Sequence, residues 1–308
     1  MKSCDHLIIG AGLSGLILAK RLKAAGANVL IVEKSKSVGG RMATRRDGDA
    51  TFDHGAQFSS EQFSDFFSEP LWKPWMNLYD KPKYAVDLGI NKAAKYLALG
   101  LDILCNEKAI SIHRHEDESI VNFESGVQIK AKQLYLSCPV PQSLDLLKSA
   151  SISYPAELND VLYAKALVGL FRIETDCVDL KNLKYKEDPE RGIFSVSNQL
   201  SKGVSQNLAF TVVMNPQFSE KFFDYTEAEI IFFIENCFTS FITNHYNLSE
   251  SGFSILRSQV KKWRYSHPLT TFGTEHCAVE SKKIILFGDG FAGGSLARAA
   301  KSAMSVPI

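Results

Sequence analysis

The stretch His6-Leu7-Ile8-Ile9-Gly10-Ala11-Gly12-Leu13-Ser14-Gly15, with Val29-Leu30-Ile31-Val32-Glu33 behind it, decides the fold. A short apolar run ends in Gly10-x-Gly12-x-x-Gly15, and apolar residues then recur at helical spacing, at Leu16, Ala19 and Leu22. Gly26 reads as the helix stop, and the run ending at Glu33 reads as a second strand. This is a compact β-α-β opening. In such a unit the first glycine permits the tight turn, the second lets the backbone approach a pyrophosphate, and the third lets helix and strand pack closely. The helix N-terminus faces the phosphates with free N–H groups and a favourable dipole. Glu33 closes the second strand 18 residues beyond Gly15, where an acid accepting ribose hydroxyls is expected. The bland alternative is an incidental glycine turn with Glu33 as a solvated charge. The strand before, the helix after and the acid behind argue together for a dinucleotide. An acid at that place disfavours a 2′-phosphate, which leaves NAD and FAD.

Two further signals choose between them. Gly39-Gly40-Arg41 follows Glu33 closely, and two glycines before an arginine let the backbone pass a flat ring system while Arg41 pairs with a phosphate. At the far end, Gly288-Asp289 follows the apolar strand Lys283-Ile284-Ile285-Leu286-Phe287. An aspartate there can hold ribityl hydroxyls, and the next helix N-terminus can point at the flavin pyrimidine edge. Asp289 as an ordinary helix cap is the plain alternative. Two ends of one chain closing on one elongated cofactor favour FAD.

Composition sets the outer limits. The 308 residues suggest two domains and bury enough surface for a large core. With 35 basic and 34 acidic side chains the net charge is +1, so nothing argues electrostatically for nucleic acid or an anionic membrane. The six cysteines form no C-x-x-C, which argues against a disulfide scaffold or a zinc site and for reduced thiols in the cytoplasm. The apolar run Leu7 to Ala19 is too short to span a membrane and reads as no signal peptide.

Along the chain, residues 35–60 read as an extended loop and 61–100 as mostly helical, with Trp72 and Trp75 near prolines. Strands are expected at 110–112, 120–123, 127–129 and 134–136, the middle ones as an antiparallel meander. Pro139 and Pro141 break that pattern. Strands recur at 167–173 and 208–214, and a helix starts at Thr226, which has capping-box spacing to Glu229. Its buried face is Ile230, Ile234, Cys237, Phe238 and Phe241. His113 and His115 flank Arg114 beside Glu116, Asp117 and Glu118, a pattern that suits a solvated hairpin better than a metal site.

Three blocks together resemble the renalase family within the FAD-dependent, amine-oxidase-like flavoproteins. They are Gly10 to Gly15 with Glu33 and Gly39-Gly40-Arg41-Met42-Ala43-Thr44-Arg45-Arg46; Asp53-His54-Gly55-Ala56-Gln57-Phe58; and Lys262-Trp263-Arg264-Tyr265-Ser266-His267-Pro268. Cys138-Pro139-Val140-Pro141-Gln142 and Gly288-Asp289 are weaker echoes. The chain departs from the family at Ala297-Arg298, where Glu-Gly is usual, at Ala164-Lys165-Ala166 for Pro-Cys-Trp, and at Lys202-Gly203, which lacks an intervening proline. The resemblance implies noncovalent FAD, with Asp53–Phe58 running past the isoalloxazine. It implies oxidation of 2- or 6-dihydro isomers of NAD(P)H, with hydride passing to flavin N5 and dioxygen yielding hydrogen peroxide.

The expected fold is α/β: an FAD-binding, Rossmann-like three-layer domain (1–66, 85–145 and 272–308) with an α+β substrate domain containing an antiparallel sheet (67–84 and 146–271). Expected cofactor contacts are Gly10, Gly12, Leu13, Ser14, Gly15, Glu33, Lys34, Gly40, Arg41, Met42, Ala56, Gln57, Phe58, Ile110, Gly288, Asp289 and Leu296. Gln57, Phe58, Trp263 and Tyr265 are the substrate-pocket candidates, to sandwich a flat heterocycle without proton transfer. Trp263 and Tyr265 as core residues of the second domain is an equal alternative, with Arg264 facing the other way. Expected partners are a dihydronicotinamide or an amine, and dioxygen. Other readings are an amine oxidase, with Lys165 or Lys202 as its lysine, and a flavin redox sensor in which Arg298 alters reactivity.

Overall fold

The structure is a computed structural model and describes residues 2–67, 71–115, 117–281 and 283–308. Glu116, named above beside the histidines, and Pro70, one of the prolines near Trp72, lie outside the described residues.

The opening forms as expected. Strand β1 (Lys2–Ile9) leads through the glycine turn into α1 (Leu13–Ala24), and β2 (Val29–Val32) returns parallel to β1, with Ile9 opposite Val32. Gly26, at φ +82°, ends the helix run. Residues 35–60 are not a plain loop: β3 (Thr44–Asp47) and β4 (Ala50–Asp53) pair as a hairpin around Gly48. The expectation of a mostly helical 61–100 fails more widely. β5 (Trp72–Leu78) and β6 (Lys81–Val86) form an antiparallel hairpin, and the α-helix there is α2 (Asn91–Ala98). The turn residues Tyr79 and Asp80 have φ of 52° and 56°, the paired left-handed geometry of a two-residue hairpin loop. Neither Asn-Gly nor Asp-Gly stands there, so the usual signal was missing.

β7 (Asp102–Leu104) joins β2 in parallel. β8 (Ala109–His115), β9 (Glu118–Phe123) and β10 (Gln128–Leu136) form the antiparallel meander. The two short strands expected at 127–129 and 134–136 are one: β10 pairs with β9 along its first half and with β1 along its length. Pro139 and Pro141 open α3 (Val140–Ser149) rather than merely breaking the strand, since proline suits a helix's first turn.

The second sheet comes from β11 (Tyr163–Thr175), then, after the short α4 (Val178–Asn182), from β12 (Tyr185–Asp188), β13 (Ile193–Asn198) and β14 (Ala209–Met214). After α5 (Pro216–Phe222) and α6 (Glu227–Tyr246) the long β15 (Phe253–Pro268) completes it. Its order is β12-β13-β14-β11-β15, antiparallel throughout. The capping box closes α6: Thr226 Oγ1 accepts from the Glu229 N–H at 3.3 Å, and Glu229 Oε2 accepts from the Thr226 N–H at 3.0 Å. Ile230, Ile234, Phe238 and Phe241 are fully buried against this sheet, with Cys237 half-buried beside them.

The chain then returns to the first sheet with β16 (His276–Val279) and β17 (Ile284–Phe287), giving the order β16-β17-β10-β1-β2-β7. All four residues of β17 are buried, as suits a strand covered on both faces. The expected C-terminal helix is two, α7 (Asp289–Ala292) and α8 (Leu296–Ser305), separated at Gly293, whose φ is +120°. α1, α2 and α8 cover one face of this sheet, while α3 with β8 and β9 packs against the other. Ala50 and Phe52 of the β3–β4 hairpin pack against Ala166, Val168 and Leu170 of β11, so the first half's own hairpin leans on the second sheet.

Candidate functional site

The site starts at the carboxyl ends of β1 and β2. Gly10 takes φ +108°, and a Cβ on it would lie 2.7 Å from Ser137 Oγ. A Cβ on Gly15 would lie 2.1 Å from the Gly10 carbonyl oxygen, so helix and strand touch where the third glycine is. Gly12 differs: a Cβ there would meet nothing within 4 Å. Its approach is open at the α1 N-terminus, which fits a pyrophosphate. Glu33 is 5% exposed, so it is no solvated charge. Its carboxylate accepts from the Ala11 N–H at 2.9 Å and the Ser35 N–H at 2.8 Å. Those bonds hold it beside the turn with acceptor capacity left for ribose hydroxyls.

Gly39 donates its N–H to Ala11 at 2.8 Å, and a Cβ on Gly40 would lie 3.3 Å from Gly12 Cα. This loop therefore passes over the glycine turn. The guanidinium of Arg41 reaches Asp289 through two bonds, of 2.5 and 2.8 Å. Asp289 also accepts from Tyr163 Oη at 3.2 Å. Burial first, and Asp289 second, push the Tyr163 phenol well above its ordinary pKa. Gly288, not Asp289, stands at the helix cap, and its N–H donates to Ser302 Oγ at 2.7 Å. Ser14 Oγ donates to the Ala299 carbonyl at 2.9 Å, tying α1 to α8. Both ends of the chain thus meet at the glycine turn.

The other expected contacts fall in different places. Leu13 and Met42 are buried in the first core, and Ala56 and Leu296 pack partly buried against it. The Ala56 N–H donates to the Arg41 carbonyl at 2.9 Å. Lys34 is exposed. Ile110 is 50% exposed at the start of β8, three residues beyond Glu107, whose N–H donates to the Glu33 carbonyl.

A second group of residues joins the two sheets. Lys202, in the β13–β14 connection, is buried and sits 3.1 Å from Asp53 Oδ2 and 3.3 Å from Gln57 Oε1. Its ammonium lies 5.3 Å from the centre of the Trp75 ring. Burial lowers the Lys202 pKa, and Asp53 opposes that effect. The other Asp53 oxygen accepts from Thr44 Oγ1 at 2.6 Å and the Ile90 N–H at 2.9 Å. Gln57 is bonded at both ends: its amide nitrogen donates to the Asp53 and Gly55 carbonyls, and its oxygen also accepts from Gln199 at 3.2 Å. Gln199, which no sequence signal picked out, is fully buried and accepts from the Asp53 N–H at 3.0 Å.

Beside this network lies a cavity of about 190 Å³, whose lining includes Gln57, Phe58, Lys165, Tyr185, Ser195 and His267. Phe58 meets Tyr185 edge-on at 5.8 Å. Burial first, then Arg41, holds the His267 pKa down. Trp263 and Tyr265 share the sheet face turned to the first half, as their spacing required, but lie outside this lining. Trp263 stacks on His54 at 5.4 Å and donates to the His54 carbonyl at 2.8 Å. Tyr265 packs edge-on against Tyr163 at 5.6 Å. Arg264, on the opposite face, lies 5.3 Å from the Phe223 ring.

Comparison with known proteins agrees with this architecture. Residues 8–70 match the model of an NAD(P)-binding Rossmann-like domain. Prolycopene isomerase 2, chloroplastic, of an Oncidium hybrid cultivar is 29% identical over 194 residues, 60% of this chain and 31% of that protein. The chain spans about a third or less of the length of the curated relatives it matches. Cyclohexylamine oxidase from Brevibacterium oxydans superposes with a TM-score of 0.72 at 13% identity, over 98% of both chains. Putrescine oxidase bound to putrescine superposes at 0.71 and 13%, again over 98% of each. The two-domain α/β fold is therefore that of the flavin-dependent amine oxidases.

Proposed function

We propose that this chain is an FAD-dependent oxidoreductase and, within that class, an oxidase of dihydronicotinamide isomers. One observation carries the reading: the glycine turn, Glu33 and the Arg41–Asp289 pair follow the carboxyl ends of the first sheet's strands, and Gln57 ties that half to a small cavity lined by residues of both halves. Gly12 and Glu33 fit a pyrophosphate and a ribose, and Arg41 would share its fork between Asp289 and a phosphate. When bound, FAD supplies the hydride acceptor and the route for electrons to dioxygen, which leaves as hydrogen peroxide.

The residues of this chain do the positioning. The substrate ring loses a hydride and becomes an aromatic pyridinium, so no side chain has to remove a proton. Phe58 and Tyr185 supply flat apolar walls. The Gln57 amide is saturated by its own partners and so keeps the 53–57 loop still rather than binding substrate. Among the described residues no carboxylate lines the cavity, while Lys165 does. An ammonium substrate would find no counter-charge there, which favours an uncharged ring over an amine. The amine-oxidase reading draws its support from the fold neighbours; of its two candidate lysines, Lys202 is locked on Asp53 and Lys165 is paired with Glu220.

The test is a visible spectrum of the purified protein, then anaerobic mixing with isomer-containing reduced NAD. A yellow protein bleached by the minor isomers and not by ordinary NADH is the expected result. A yellow protein that ignores every isomer shifts the weight to an amine oxidase, or to a sensor if its reduced form persists in air. A colourless protein that FAD does not reconstitute overturns the cofactor. Glu33→Ala is expected to lose flavin on purification, and undiminished flavin content would remove the ribose role.

A further inference from the structure

We propose that Lys165 is a specificity residue: it receives a phosphate of the substrate outside the cavity, so that the enzyme selects nucleotides over the corresponding phosphate-free nucleoside. The inference rests on the dihydronicotinamide reading and deepens it.

The cavity has an inner and an outer end. At the inner end Gly55 and Gln57 abut the Arg41 loop. Phe194 of the lining is 53% exposed, which opens that part of the cavity to solvent, and Lys165 belongs to the same lining with its side chain 20% exposed. About 190 Å³ is below the roughly 300–1,000 Å³ of sites that enclose a drug-sized ligand. One ring fits, and the ribose and phosphates of a nucleotide must pass the outer end. Lys165 is the lysine of the lining. Its ammonium lies 5.0 Å from the centre of the Phe223 ring. A second ammonium, Lys83, lies 5.3 Å from the centre of the Phe58 ring, itself part of the lining. Against these stands Glu220, 2.8 Å from Lys165 but 67% exposed. So exposed a partner holds the lysine weakly and gives way to a phosphate, which offers more acceptor oxygens and more charge. Lys165 belongs to the Ala164-Lys165-Ala166 segment, so the device is written into this chain's own sequence.

The experiment compares one dihydronicotinamide isomer presented as the dinucleotide and as the riboside, which carries no phosphate. In the holoenzyme, kcat/KM is measured for both, and the ratio of dinucleotide to riboside is read. Lys165→Met is expected to lower that ratio about tenfold. Glu220→Gln, an exposed change that leaves folding alone, is expected to raise it about twofold by removing the competing carboxylate. A ratio within experimental error of wild type in both variants overturns the proposal while the function stands. A wild-type enzyme that oxidises neither form overturns the function itself, and this inference with it.

Discussion

Arg41 and Asp289 keep 29% and 10% of their side chains exposed, while Lys202 and Asp53 keep 0% and 1%. Both pairs join distant parts of the chain, and both sit beside the candidate site. The first is a planar fork at the edge of the glycine turn, where a phosphate can take one of its two bonds. The second is sealed between two sheets, with Thr44, Ile90, Gln57 and Trp75 filling its remaining contacts. A buried pair gains little over an apolar substitute, yet breaking it leaves a charge with no water to turn to. We therefore assign the pair whose arginine keeps some contact with water to binding, and the sealed pair to architecture.

The sharpest way to break that division is Lys202→Met. It leaves Asp53 charged and buried, and is expected to cost about 3–5 kcal/mol in denaturant unfolding. Lys202→Met with Asp53→Asn should cost less than the two single changes added together, because the second removes the stranded charge. Strict additivity would show the pair to be no unit.

Next in size is a pH effect between the two regions, at His54. Its pKa is lowered from 6.5 to about 4, by burial first and then by the Lys261 charge. The unfolded chain therefore binds a proton that the folded chain refuses between those values. Stability is complete above about pH 6.5 and falls by about 3 kcal/mol as pH drops toward 4. His54→Phe keeps a ring to stack on Trp263 and should flatten that slope; an unchanged slope would assign it to other groups.

The glycine turn makes a third contrast within one motif. Gly15→Ala forces a methyl onto the Gly10 carbonyl and is expected to cost about 1–3 kcal/mol, read as a lower Tm. Gly12→Ala meets nothing in the protein and should leave Tm within error, yet it should reduce flavin retention, since its methyl stands in the phosphate approach. Equal loss of stability in both would refute the assignment of separate roles. The last expected change is Asp289→Asn, at about 1–2 kcal/mol in denaturant unfolding, because the buried side chain loses its charged fork with Arg41 while an amide can still bond Tyr163.

The parts of the site that were legible in the sequence are those with local geometry. Gly10, Gly12, Gly15 and Glu33 lie within one β-α-β unit, and their spacing has meaning because strand and helix periods are fixed. Thr226 and Glu229 were legible for the same reason. The alternation of Trp263, Arg264 and Tyr265 put both rings on one face, but whether that face met a cavity or His54 depended on the opposite domain. The β5–β6 hairpin was missed because its turn is Tyr79-Asp80, held left-handed by pairing on either side rather than by glycine.

By itself, then, the amino-acid sequence determined the β-α-β opening, the dinucleotide turn and the existence of a second, strand-bearing half. Each follows from short-range sterics and periodicity. Only the tertiary structure decided that Asp53 pairs with Lys202, that Gln199 saturates Gln57, and that Lys165 rather than Trp263 lines the cavity. Asp53 and Lys202 are 149 positions apart, and no local rule links them. Their pairing arises when two sheets close and water is excluded, so that every buried polar group must find its partner in the protein.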